Sequence, residues 1–514
     1  MIKKIKRFNF KDLFILDIAN NHQGDIKHGL NIIKLHSEIV KKNKIRAVFK
    51  FQFRELDTFI HPKFKNSNKN KYIPRFLSTR MDDSDFKVMR KFIKSNKCLA
   101  ACTPFDELSV DLIESIGFDI IKIASCSAND WPLLERVSLT NKPVIISTGG
   151  LNISEIDKIV SFASHRNMDF ALMHCVSIYP TPEEDSNLIR IAILKERFPD
   201  VEIGWSTHEN PDDFDPIKIA KALGANIFER HIGLNTKKYK LNKYSSTPKQ
   251  LNNWFNHFKK TNIYFGNGYG KVNKFEKSTL DQLKRGIFVN KVVKKNKKLK
   301  VEDIFYAFPV KRNQLVSGEF KISTLTKKLY KKNEALIKEK IKLPKLKKSE
   351  IISNLNHKIK AILNKAKINL GNDFNLEYSH HYGILKFEKI GCILIDCINR
   401  EYCKKLLIQL PNQKHPFHYH KLKEETFHVL SGEIYINIEG VEKIYIPGDK
   451  ILVLPGTWHS FRTKIGTVVE EVSTTHFNND TIYKDPKINK LKREERKTVV
   501  KQWGRFEKED LLDN

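Results

Sequence analysis

Cysteine is scarce in this chain: seven residues among 514, at positions 98, 102, 126, 175, 392, 397 and 403, with no Cys-x-x-Cys pair. An odd, dispersed set excludes a disulfide framework and is expected as reduced thiols. No apolar run approaches the roughly 20 residues that a membrane-spanning helix needs, so no membrane partner is expected. The segment Met1 to Asp12 is basic but lacks a small-residue cleavage site, which argues against a secretory leader and for a cytoplasmic location. Acidic residues are few beside basic ones, 59 Asp and Glu against 92 Lys and Arg, for a formal charge of +33. Such an excess can mark a nucleic-acid partner, yet no recognition motif accompanies it. Residues 291–350 alone hold 19 Lys and Arg against 6 Asp and Glu, a net of +13, with few interleaved aromatics. The expectation is no nucleic acid, with anionic small substrates left open.

The chain is rich in core material. Apolar residues make up 40%, and there are 33 Phe. At roughly 150 residues per domain, this length suggests about three domains. Short β-branched and apolar runs recur at Phe14–Ala19, Ala47–Phe53, Cys98–Phe105, Ile120–Ser125, Pro143–Thr148, Asp169–Val176, Val201–Thr207 and Asn226–Gly233. Between most of them lie segments with helical apolar spacing, such as Asp106–Ile116, Ser154–Ser164 and Pro216–Leu223. Eight alternating strand and helix units predict a parallel (β/α)8 TIM barrel.

Polar residues gather at the predicted C-terminal strand ends, the rim that builds the active site in this architecture. They are Lys50, Gln52, Thr103, Lys122, Ser125, Ser147, His174, Ser177, Ser206, His208, Glu229 and His231. One such residue means little, because a satisfied polar group at a strand end is common. Their recurrence on nearly every strand points to a site. Lysines among buried strand residues are costly unless they meet an anion, so phosphate or carboxylate is the natural guest. His208 and His231 end adjacent strands and can ligate one divalent metal.

These residues lie in ordered segments. Asn21-His22-Gln23-Gly24-Asp25, Lys50-Phe51-Gln52, Thr103-Pro104-Phe105-Asp106 and Lys122-Ile123-Ala124-Ser125 come first. They are followed by His174-Cys175 with Ser177 and Tyr179-Pro180-Thr181-Pro182, by Gly204-Trp205-Ser206-Thr207-His208, and by Glu229-Arg230-His231. The set resembles the sialic acid synthase family over about residues 10–265. The resemblance implies condensation of phosphoenolpyruvate with an amino-sugar aldose, giving a nine-carbon 2-keto acid and phosphate. It implies Mn2+ or Mg2+ on His208 and His231, and a reacting group of Asp17, Lys50, Lys122, Tyr179, His208 and His231. Substrate contacts would come from Gln52, Thr103, Ser125, Ser147, Ser177, Ser206, Glu229 and Asn242. The chain also departs from the family. Asp17 stands where the family usually has Glu, Ser125-Cys126-Ser127 replaces Ser-Gly-Glu, and Leu241-Asn242-Lys243 replaces Pro-Asp-His. The acceptor is therefore expected to differ from simple N-acetylmannosamine.

Residues 275–335 resemble the antifreeze-like domain of the same family, a small α+β fold that implies a domain-swapped homodimer with Arg312 offered to the sugar's acyl group. A basic linker is expected over 336–370, a domain over 371–490 and a charged tail over 491–514. Within 371–490 the pattern changes to short strands: Lys405–Leu410, Thr426–Leu430, Ile434–Ile438, Lys450–Leu454 and Thr467–Val472. His418 and His420 share a strand face, and Glu425 and His459 can join them, a donor set for Mn2+, Zn2+ or Fe2+. These motifs resemble an all-β cupin barrel, and Lys423-Glu424-Glu425-Thr426-Phe427 resembles D-lyxose isomerase-like cupins. Isomerisation needs a base beside the metal, for which Glu471 is the candidate. Cupins that only bind a sugar fit the same pattern, so the expectation is a synthase whose cupin binds or isomerises a sugar. Two rivals remain: a different phosphoenolpyruvate-dependent 2-keto-3-deoxy sugar acid synthase, and an inactive sugar-binding protein.

Overall fold

A computed structural model describes residues 7–65, 69–266, 272–371, 374–501 and 503. The chain divides into two compact units, Met1–Lys271 and Val272–Asn514. The first is a closed parallel barrel of eight strands in sequential order. They are β1 (Leu13–Asp17), β2 (Arg46–Phe53), β3 (Leu99–Pro104), β4 (Ile120–Ile123), β5 (Val144–Ser147), β6 (Phe170–Cys175), β7 (Glu202–Thr207) and β8 (Ile227–His231). All eight predicted strands are present.

Side chains alternate between the two faces of each strand. The outward set, including Phe14, Phe49, Phe51, Ile121, Ile146, Leu172, Trp205 and Phe228, packs beneath the helical ring. The last helix, Pro248–Phe265, is capped by Thr247 and Gln250 and lays Trp254, Phe255 and Phe258 on Phe14. The inward set changes character along the barrel. Leu13, Ile15, Val48, Ala101, Ile120, Ile145, Ala171, Met173 and Ile227 form an apolar core with Phe10. Two positions further along the strands, and at Ser206 of β7, the inward residues are Asp17, Lys50, Thr103, Lys122, Ser147, Cys175, Ser206 and Glu229, all buried. The barrel is thus an apolar plug beneath a polar layer to which every strand contributes.

The second unit begins with a small body in which Gly286–Val289 pairs antiparallel with Ile304–Ala307, and Leu325–Thr326 with Ile341–Lys342. Ile287, Val289, Leu299, Leu315, Tyr330, Leu336 and Ile341 form its core. The stretch 336–370 is not a solvated linker. Its first residues complete this core, and Lys348–Lys365 is a helix. The run of lysines hides sparse apolar residues at helical spacing: Ile352, Leu355, Ile359 and Leu363 are buried against Leu376, Tyr378, Ile393 and Leu406. The charged tail at 491–514 also begins as structure, since Lys497–Lys501 pairs with Asn375–Ser379; residues 502 and 504–514 lie outside the described residues.

The remainder is all β. A seven-stranded antiparallel sheet runs in the order Lys450–Val453, Glu425–Gly432, Thr467–Thr474, Tyr402–Gln409, Cys392–Asn399, Asn375–Ser379 and Lys497–Lys501. A five-stranded sheet orders Val441–Tyr445, Ile434–Ile438, His459–Arg462, His418–His420 and Thr481–Tyr483. Among the described residues no helix is long and apolar enough to cross a membrane.

One glycine is fixed by both conformation and space. Gly432 has φ +80°, and a Cβ there would lie 2.0 Å from the Gly466 carbonyl oxygen. Gly432→Ala is expected to destabilise the β-rich unit by at least ~1–3 kcal/mol, through overpacking against backbone that cannot yield. Chemical denaturation followed by tryptophan fluorescence checks this; an unchanged midpoint would refute it.

Candidate active site and candidate metal centre

Strand register builds the barrel site. Asp17 on β1 lies opposite Lys50 of β2 on one side and His231 of β8 on the other. The Lys50 ammonium donates to Asp17 at 2.9 Å and to Glu229. Glu229 also receives Lys122 at 3.3 Å, and Lys122 donates to the Ser147 hydroxyl. Two lysines and two carboxylates therefore form one buried network. Burial opposes the charge on Lys50, but Asp17 and Glu229 outweigh it and hold its pKa above the ordinary lysine value. Burial lowers that of Lys122 and raises that of Asp17, whereas Glu229, facing both lysines, is held below the usual carboxylate range.

The two histidines stand beside this network. Their ring centroids are 5.2 Å apart. His208 Nδ1 lies 2.8 Å from the Val176 carbonyl and His231 Nδ1 lies 3.4 Å from Asp17, so both Nε2 atoms are left to serve as ligands. Burial pushes both histidines to about 3, His231 adding to the effect at His208 and Lys50 at His231. Both are neutral near pH 7, the form that binds a metal. The pair fits one divalent ion.

Other expected residues fall around this centre. Ser125 accepts from the Gly149 amide at 3.0 Å, and a Cβ on Gly149 would lie 2.8 Å from the hydroxyls of both Ser125 and Ser177. The Thr103 hydroxyl is buried with no hydrogen-bond partner. Tyr179 covers His208 at 4.2 Å between ring centroids. Asn242 reaches the site only indirectly, donating to Asn21 at 3.2 Å. Gln52 accepts from Arg54 at 3.3 Å. His174 bonds the Ser186 carbonyl at 2.8 Å, a bracing contact, and Arg312 is an exposed residue of the second unit. Tyr244 escaped the sequence reading. It stands edge-on to His231 and to Tyr179 at 5.2 Å each, because residues 244–246 return along β8, with Ser246 bridging Ile232. No local pattern marks that return.

In the β-rich unit, His418, His420, Glu425 and His459 each offer a donor atom, all within 4.8 Å of one another. His418 lies opposite His459 in the ladder. Each imidazole is steered by its other nitrogen. His418 Nδ1 lies 3.0 Å from the Pro416 carbonyl, His459 Nδ1 3.0 Å from that of Thr457, and His420 Nδ1 3.2 Å from the Thr481 hydroxyl. His459 Nε2 and Glu425 Oε2 are buried without hydrogen-bond partners, a cost that a bound cation removes. Three imidazoles and a carboxylate suit a divalent transition metal. Glu471 is buried nearby, and Lys423 bridges it to Glu425 at 2.9 Å and 2.5 Å.

The family model described as the NeuB family matches residues 39–269, and the one described as a cupin domain matches residues 406–469. An uncharacterised protein of Methanocaldococcus jannaschii is 31% identical over 291 residues, 56% of this chain and 82% of that protein. The N,N'-diacetyllegionaminic acid synthase of Campylobacter jejuni is 28% identical, over 64% of this chain and 99% of that enzyme. A solved structure from Chromobacterium violaceum, assigned to spore coat polysaccharide biosynthesis, is 40% identical with a TM-score of 0.63, covering 65% of this chain and 100% of its own.

Two outcomes are expected. Purified chain is expected to carry a tightly held transition metal that His459→Ala loses, read by elemental analysis before and after EDTA; equal metal in both proteins would refute the centre. The second concerns Glu377, buried against Lys497 and Arg493. Burial raises its pKa, but Lys497 leads the contacts that bring it down to about 2, from 4.5. A depressed carboxylate stabilises the fold above its unfolded pKa, and that stability is lost as pH falls through the folded value. Glu377→Gln should remove up to ~3 kcal/mol of the stability change between about pH 4.5 and 2. Urea midpoints measured across that range would show an unaltered slope if the ion pair contributes nothing.

Proposed function

The chain belongs to the NeuB family, and from that premise we propose that its barrel condenses phosphoenolpyruvate with an amino-sugar aldose to give a nonulosonic acid and phosphate. The observation that carries this reading is the buried polar layer. Lys122 lies beside Ser147 and Lys50 beside Asp17 and Glu229, with the His208–His231 pair at the same rim. That arrangement suits an anionic enol phosphate next to an aldehyde. A divalent metal, Mn2+ or Mg2+, on His208 and His231 would supply Lewis acidity at the aldehyde oxygen.

This chain's own residues do the rest. Lys122 with Ser147 and Lys50 with Thr103 hold the phosphate and carboxylate, and balance the charge that changes at C2. In bond terms, C3 of the enol joins the aldehyde carbon, water adds to C2, and the C2–phosphate bond breaks. Asp17, raised toward its protonated form by burial, is placed to exchange a proton with His231 or Lys50. Tyr179 and Tyr244 flank the histidines as an aromatic wall for the sugar. The altered residues Ser127 and Asn242 support an acceptor other than N-acetylmannosamine. The names of relatives include synthases of N,N'-diacetyllegionaminic acid and of pseudaminic acid beside those of N-acetylneuraminate 9-phosphate.

For the second unit we infer an antifreeze-like body near residues 275–335 that takes part in a domain-swapped homodimer, with Arg312 as its sugar contact. A metal-holding cupin over 371–490 binds or isomerises a sugar-derived ligand, with Glu471 as the base in the isomerase reading. The enzyme is assigned to the cytoplasm.

The test is phosphate release from phosphoenolpyruvate with N-acetylmannosamine, diacetylated dideoxyhexoses and arabinose 5-phosphate, each with Mn2+ and after EDTA. Metal-dependent release with a diacetylated aldose is expected. It should be abolished in His231→Ala and fall by about 100- to 1,000-fold in Lys122→Met. Release only with the phosphorylated pentose would move the barrel to another sugar acid synthase. No release with any acceptor would leave the inactive sugar-binding reading.

A further inference from the structure

The cupin cavity is small and carries more lysine than a neutral sugar requires. Its volume is about 40 Å3, and Lys405, Lys423 and Lys497 line it together with His418, His420, Glu425 and Glu471. The innermost space therefore admits a metal and a few ligand atoms, and the rest of a longer ligand extends toward the mouth. Lys405 and Lys423 are each 4% exposed.

Charge then selects the kind of end. Lys405 meets Asp396 at 3.1 Å, Lys423 lies between Glu425 and Glu471, and Lys497 shares Glu377 with Arg493. Those four cations and four carboxylates balance, and the buried Asp480, 3.4 Å from His420 Nδ1, adds a fifth carboxylate. A divalent ion on the three imidazoles and Glu425 adds two positive charges, of which Asp480 offsets one. Unbalanced charge in a buried site is costly, and an anionic ligand removes the cost. A six-coordinate ion held by four protein donors leaves two positions, the number that a chelating ligand fills.

We propose that the cupin cavity binds the carboxylate end of a 2-oxo acid, chelated through one carboxylate oxygen and the adjacent oxo oxygen, with Lys405 and Lys497 as counter-charges. The proposal rests on the reading of His418, His420, Glu425 and His459 as a metal centre, and is independent of catalysis in the barrel. It opposes isomerisation of a neutral aldose, which leaves the added charge in place. A 2-oxo acid is also the class of product that the barrel reading makes, so the cavity would serve retention or later conversion of that product.

Full-length His231→Ala protein, loaded with Mn2+, isolates the cupin ion for water-proton relaxation and electron paramagnetic resonance. Pyruvate serves as the small 2-oxo acid probe, against N-acetylmannosamine and glucose 6-phosphate. Pyruvate is expected to displace metal-bound water saturably, and Lys405→Gln to weaken it about tenfold or more at unchanged manganese content. Lys497→Gln is the second variant, in case the first loses its fold by circular dichroism. A protein that retains no manganese defeats the metal reading and the proposal with it. Manganese retained with no pyruvate response, an equal response to N-acetylmannosamine, a response to glucose 6-phosphate alone, or undiminished binding in folded lysine variants overturns the proposal itself.

Discussion

The barrel depends on burying four ionisable groups, Lys50, Asp17, Glu229 and Lys122, side by side inside a fold. None of these side chains is more than 6% exposed, and each lies within ion-pair distance of another. Burying a charge costs several kcal/mol unless it finds a partner, and removing one partner strands the other. The closed barrel meets that demand by register. β1 and β8 close the sheet, so Asp17, Lys50 and His231 become neighbours although they lie far apart in the chain. The apolar layer beneath supplies the stability that such a network does not.

The two candidate centres solve one problem in different ways. In both, histidines are buried and steered through Nδ1, and burial holds the barrel pair neutral near pH 7. In the barrel the two imidazoles stand at the edge of an ion network. In the cupin, three imidazoles surround a carboxylate whose second oxygen has no hydrogen-bond partner. The first arrangement offers an ion two imidazoles; the second offers it three imidazoles and a carboxylate. Hydrogen bonds through the other ring nitrogen orient the imidazoles of each donor set.

Much of this was legible along the chain. Eight apolar runs separated by helical spacing predict a closed barrel, because parallel strands buried on both faces read as continuous apolar segments. The switch from apolar to polar at each strand end marks the rim. In the cupin, two histidines two residues apart must share a strand face, so His418 and His420 are paired by geometry alone. The lysine-rich stretch before the cupin misled for a physical reason. Four buried apolar residues at helical spacing anchor Lys348–Lys365, and charge on the other faces masks them in composition.

The sequence by itself determined the order of elements, the faces they bury and the residue types at each strand end, since these follow from local periodicity and side-chain chemistry. Tertiary structure decided which strand ends meet. The Lys122–Glu229 contact, the return of Tyr244 beside His231 and the convergence of Lys405, Lys423 and Lys497 on one small cavity join residues distant in the chain. Such contacts arise when the sheets close and the loops fold back. No local pattern encodes a distance between strands that are far apart in sequence.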